Sequence, residues 1–223
     1  MRSPVRPLLV GAVAAVVATG VLAPRSTGAT VEEQRARLPP PATCPDKVEG
    51  TWLALNYDRP YGEWYDRTLV IRRSAPRMLG DGPGALEGDS LAHFWTGGER
   101  DEKPPGCSPG RYEAVVKMPA RGSVDKDGKV TFGATSYTFD RVVCGNPGSY
   151  NPDNYSGKID PDRQEFQSVN NDGGRAVNEP LVFRRVRCLD TPGPTSQRGA
   201  GKAPPPAFAP PKRAWGCNKT REP

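Results

Sequence analysis

Between Cys44 and Asp190 apolar residues alternate with polar ones, and Gly or Pro interrupts the chain too often for a helix to repeat every 3.6 positions. Tyr112, Ala114, Val116 and Met118 share one parity, while Arg111, Glu113 and Lys117 hold the other, with Val115 as the exception. That is the pattern of a strand with one buried face. Farther on, Val130, Phe132 and Ala134 share a parity, but Tyr137 and Phe139 fall on the opposite one. One extra residue near Thr135–Ser136, a β-bulge, returns all five to a common side. Alternation of this kind marks strands at Thr51–Tyr57, Arg67–Arg73, Leu91–Thr96, Arg111–Met118, Lys129–Val143, Tyr155–Ile159, Glu165–Val169 and Leu181–Cys188. About eight strands with hairpin-like links predict an all-β chain, an antiparallel meander barrel with a β-sandwich as the alternative.

The flanks read differently. Arg2 and Arg6 precede an apolar run from Leu8 to Leu22, and Thr27 and Ala29 form a −3/−1 pair of small residues. Residues 1–29 are therefore read as a signal peptide. The run is short for a transmembrane anchor, which needs about 20 apolar residues. Residues 30–43 read as a linker ending in Pro39, Pro40 and Pro41, and residues 191–223, with eight Pro, as a basic disordered tail. A single domain, 44–190, lies between them. The expected location is secreted or extracytoplasmic, with no transmembrane segment left after cleavage.

Export sets the redox state of Cys44, Cys107, Cys144, Cys188 and Cys217. Oxidised thiols pair, so two bridges with one cysteine left over are expected. A hairpin turning at Asp127-Gly128 places Cys107 and Cys144 at neighbouring strand ends, offset by up to about four residues, and the bulge with the Pro109-Gly110 break is expected to close that gap into a bridge. Cys44 and Cys188 flank the first and last strands, which are neighbours in a closed barrel. No CxxC spacing is present, so neither a zinc site nor a thioredoxin-type motif is read, and no cofactor is expected.

The formal net charge of +6 comes from the flanks, since residues 30–190 hold 22 basic and 24 acidic residues. A fold that grips phosphates concentrates positive charge on itself, so nucleic acid is set aside as a partner. The basic tail is a candidate contact for the envelope.

Val48-Glu49-Gly50-Thr51-Trp52 opens the first strand and resembles the G-x-W motif of lipocalins. Arg184, Arg185 and Arg187 near the end of the domain resemble the source of the arginine that packs across that tryptophan in the family. The resemblance covers these two ends only; the Thr-Asp-Tyr motif and the helix before the last strand are not seen. It implies a calycin-type barrel.

Several strings suggest chemistry. Gly88-Asp89-Ser90-Leu91 matches the signature of a serine esterase family. A nucleophilic serine needs a base within reach. His93, the one histidine, sits three residues on and faces the other way along a strand, which makes it a packing residue. Asp125-Lys126-Asp127-Gly128 resembles part of a calcium loop, but Ser123 and Ala134 stand where its end ligands belong, so a hairpin turn is the reading. No catalytic residue and no metal ligand is assigned. In residues 167–183, Asn170, Asn171, Asp172, Gly173, Gly174, Asn178 and Glu179 read as a hairpin loop of roughly ten residues. A cation held by Asp172, Asn178 and Glu179 is the alternative.

The richest candidate is residues 57–67, read as a loop between two strands. Tyr57, Tyr61, Trp64 and Tyr65 supply stacking surface, and Asp58, Glu63 and Arg67 supply polar groups that orient a ligand. The leading expectation is a non-catalytic binding domain for a small amphipathic ligand or glycan. A hydrolase using Asp58, Glu63 or Asp66 is the second reading, and a structural or envelope-associated domain the third.

Overall fold

The computed structural model describes residues 29–74 and 84–189. The segment read as a signal peptide, apart from Ala29, lies outside them, and so does the tail with Cys217. Among the described residues nine strands form: β1 Gly50–Asp58, β2 Glu63–Arg73, β3 Ala85–Thr96, β4 Glu113–Val124, β5 Lys129–Ala134, β6 Thr138–Cys144, β7 Asn154–Asp160, β8 Glu165–Asn171 and β9 Val177–Arg187. All pair antiparallel in the order β1-β2-β3-β4-β5-β7-β8-β9, and β9 returns to β1. The result is a closed eight-stranded meander barrel with β6 as an extra strand. A sandwich is excluded by that closure.

β4 explains the extra strand. Its last residues, Ala120–Val124, pair with β5, and its first, Glu113–Lys117, pair with β6. The single strand expected over 129–143 is thus interrupted at Thr135–Tyr137, where the parity of the apolar residues changes. Tyr137 and Phe139 still pack against the main core.

Several strands run longer than the alternation predicts. β3 begins at Ala85 rather than Leu91, β4 ends at Val124 rather than Met118, and β2 begins at Glu63 rather than Arg67. Gly88 and Pro119 both sit inside the β3–β4 ladder. The stretch 57–67 is therefore not a loop. Only Arg59–Gly62 turn, with Gly62 at φ +63°, a left-handed conformation that glycine adopts without strain.

Residues 30–43 are not a bare linker either. Val31–Arg37 form helix α1, with Thr30 and Glu33 closing a reciprocal capping box. The reason for the helix is tertiary. β1 pairs with β9 only through Thr51–Leu53, which leaves the seam without rungs toward the other end of β1. Gln34, 1 % exposed, occupies that seam: its amide donates to the carbonyls of Ala29 and Pro180 and accepts from the Val182 N–H. One side chain thereby supplies partners that a strand would otherwise provide.

The barrel core runs from Trp52, Leu69 and Ile71 through Met118, Phe132, Phe166 and Phe183. Disulfides join Cys44 to Cys188 and Cys107 to Cys144. The first ties the segment before β1 to the end of β9; the second ties the segment after β3 to the end of β6.

Candidate functional site

At the end of the barrel that holds the β1–β2 and β8–β9 turns, the interior opens into a cavity of about 530 Å³. Parity decides which of the expected residues reach it. Along β1 and β2, Asp58, Tyr65 and Arg67 line the cavity, and Tyr61 joins them from the turn. Glu63 stands at its edge, accepting the Tyr65 hydroxyl at 2.5 Å. Tyr57 and Trp64 carry the opposite parity and lie outside the barrel.

There they build a second cluster with Trp95. Trp64 is fully buried, its Nε1 donates to the Gly98 carbonyl at 2.9 Å, and the Arg37 guanidinium covers its ring at 5.0 Å. Trp95 Nε1 donates to the Asp101 carbonyl and the Tyr57 hydroxyl to the Gly97 carbonyl. Three aromatic donors thus pin the 97–101 loop to the outer wall. Trp64 and Tyr57, expected as ligand contacts, do not line the cavity and pack in this outer cluster instead.

The inner site is a network of charges against rings. Asp153, 1 % exposed, accepts from the Tyr150 hydroxyl at 2.7 Å and from Asn170 Nδ2 at 2.8 Å. Arg67 approaches Asp153 at 3.6 Å, donates to Asn56 Oδ1, and lies 4.4 Å above the Tyr65 ring. Burial works against its charge, but Asp153 and the neighbouring tyrosines hold its pKa well above the ordinary arginine value. At the rim Arg175 clamps both oxygens of Glu63, at 3.1 and 3.2 Å, and covers the Tyr61 ring at 3.5 Å. Such a forked pair fixes geometry as well as charge. Burial raises the Glu179 pKa, with Arg67 opposing and Asp58, Asp153 and Asp172 adding to the shift. Burial likewise raises that of Asp58, with Arg175 and Arg67 opposing and Glu63 adding. Phe94 and Tyr112 complete the apolar wall.

The 167–183 stretch has two roles. Asp172 accepts from the N–H groups of Gly174 and Ala176, so its carboxylate holds the turn, and the turn is shorter than the ten residues expected. Glu179, on β9 opposite Asn170, faces the cavity instead. Asp172, Asn178 and Glu179 line the same cavity, but among the described residues no group of three His, Cys, Asp or Glu is arranged to hold a metal ion.

Ser90 is buried within the barrel and His93 lies on the other parity, 2.9 Å from Glu113, so the esterase-like string has no dyad. Asp125 accepts from the N–H groups of Asp127 and Lys129, which makes that string the β4–β5 turn. Asp66 stands opposite His93 on the outer face, whereas Asp58 faces inward and stands opposite Glu63, so two of the three carboxylates considered for a hydrolase meet at the mouth and Asp66 does not.

Arg175, Asp153, Tyr150 and Asn170 were not assigned to a ligand site from sequence, and Glu179 was considered only as a cation ligand with Asp172 and Asn178. Asn56, Arg67 and Asn170 carried a signal, since each interrupts the buried parity of its strand with a polar side chain.

No protein-family model, no curated protein and no solved structure matches this chain. The barrel agrees with a lipocalin-like architecture at the level of strand number and closure.

Proposed function

We propose that this chain is an exported, non-catalytic domain that binds a small amphipathic molecule or glycan at the mouth of a lipocalin-like barrel. One observation carries the reading: the core fills one part of the barrel interior, whereas the mouth keeps about 530 Å³ lined by Tyr65, Phe94, Tyr112 and Tyr150 beside Asp58, Arg67 and Glu179. Apolar walls with a few convergent polar groups are what small-ligand sites have in common. Export is supported by the leader-like residues 1–29 and by two disulfides that staple the fold.

The reading is tested by thermal-shift screening of amphipathic small molecules and soluble glycans, with Ser149→Trp as the control that puts a ring into the mouth. Stabilisation of wild type that Ser149→Trp abolishes is expected. A set of compounds that shifts neither protein, or both equally, would contradict it.

A further inference from the structure

The cavity has an imbalance that its internal pairs leave unresolved. Its lining carboxylates are Asp58, Asp153, Asp172 and Glu179, and its guanidiniums are Arg67 and Arg175. Arg175 is engaged by Glu63, and Arg67 stands against Asp153. Asp172 is bonded to the N–H groups of its own turn. Asp58 and Glu179 remain: among the described residues neither is in an ion pair, and burial raises the pKa of each although Arg175 and Arg67 oppose it at Asp58 and Arg67 opposes it at Glu179. A second observation is independent of the acids. Arg67, only 4 % exposed, leaves its Nε without a hydrogen-bond acceptor, because Asp153 is too distant at 3.6 Å to accept well. A buried donor left open costs free energy unless something fills it.

We infer that the ligand is an amphipathic organic amine, its ammonium held by Asp58 and Glu179, its ring or chain against the tyrosine wall, and an acceptor at its inner end facing Arg67. This rests on the binding reading above and narrows it to one chemical class. Register supports the polarity. Asp58 ends β1 opposite Glu63, whereas Arg67 lies four residues farther along β2, opposite Ala54, so carboxylate and donor are separated along the barrel axis. Burial disfavours the charged form of both carboxylates, and an adjacent ammonium offsets that penalty by its opposite charge. The metal alternative is disfavoured by the dispersed carboxylates.

The test uses three compounds that share a phenol and differ in head charge: tyramine, tyrosol and 3-(4-hydroxyphenyl)propanoate. Each is titrated calorimetrically into the full exported chain near neutral pH. Tyramine is expected to bind about tenfold or more tighter than tyrosol, and the propanoate more weakly still. Asp58→Asn and Glu179→Gln should each weaken tyramine by about fivefold or more, leave tyrosol unchanged, and not lower the melting temperature. Tyramine affinity should fall as pH drops through the raised carboxyl pKa values, and tyrosol affinity should not. Equal binding of tyrosol or the propanoate, blocked by Ser149→Trp, would overturn the amine class and leave the cavity as a binding site. Absence of binding by all three would overturn the amine class as well, and the thermal-shift screen then decides the broader reading on its own.

Discussion

The guanidinium of Arg185 lies 4.8 Å from the centre of the Trp52 ring, beneath the strands that close the barrel. The same group donates to the carbonyls of Asp46, Lys47 and Glu49, so one cation caps the indole and satisfies three backbone acceptors. Trp52 Nε1 donates to the Val48 carbonyl in the same segment. Gly50 makes the contact possible, because a Cβ there would stand 2.7 Å from Arg185 Cδ.

Arg185→Ala should therefore lower stability by about 2–4 kcal/mol, since three partly buried carbonyls lose their donor and the buried Trp52 ring loses its cover. Arg185→Lys should recover little of it, because an ammonium lacks the planar fork. Chemical denaturation of the two variants measures both effects.

Gln34 makes a corresponding claim for the barrel seam. Gln34→Ala removes three hydrogen bonds at the seam, two of them buried, and is expected to cost about 1–3 kcal/mol. Hydrogen exchange should rise selectively at Val182. Unchanged protection there would show that α1 does not close the seam.

Trp64 separates wall from site. Trp64→Ala should destabilise by roughly 3–5 kcal/mol, as for other buried aromatics, and leave affinity for a cavity ligand unchanged. Weakened binding with unaltered stability would restore Trp64 to the ligand site.

The disulfides enclose the domain without Cys217. Truncation after Leu189 should leave the melting temperature unchanged, whereas the paired change Cys44→Ser and Cys188→Ser should cost about 2–5 kcal/mol. Thermal unfolding of the three proteins side by side distinguishes them.

Glu179 gives a pH signature. Its neighbours are Arg67, Asp58, Asp153 and Asp172, and burial is the main cause of its raised pKa. The folded state therefore holds this proton to higher pH than the unfolded state does. Its contribution to stability is fully present below the unfolded carboxyl range and lost as pH rises through the raised value. Without ligand, Glu179→Gln should melt above wild type at about pH 8, and the gap should close toward about pH 4.

Parity made the barrel legible, and it also explains what was missed. Alternation across 111–118 marked the buried face of β4, and the change of parity at Thr135–Ser136, read as a bulge within one strand, is where β5 and β6 separate. The Gly50 to Trp52 string and the late arginines anticipated the contact that Arg185 makes. The 57–67 stretch was misread because its density of rings and charges outweighed its alternation. Read by parity, Asp58, Tyr65 and Arg67 separate from Tyr57 and Trp64, which belong to the outer wall. Helix α1 was hidden because its support comes from the exposed edge of β9, about 150 residues away, and no local pattern records that. Glu179 and Asp153 reach the cavity only through closure of the barrel.

The most direct measurement is native mass spectrometry of the protein purified from its own host, compared with the same sample denatured. The account predicts a non-covalent mass excess that disappears on denaturation, is absent from Ser149→Trp, and on release is identified as an organic amine. A protein at its bare mass, with neither a copurified nor an added small molecule retained, would contradict the binding site and leave the barrel as structure alone.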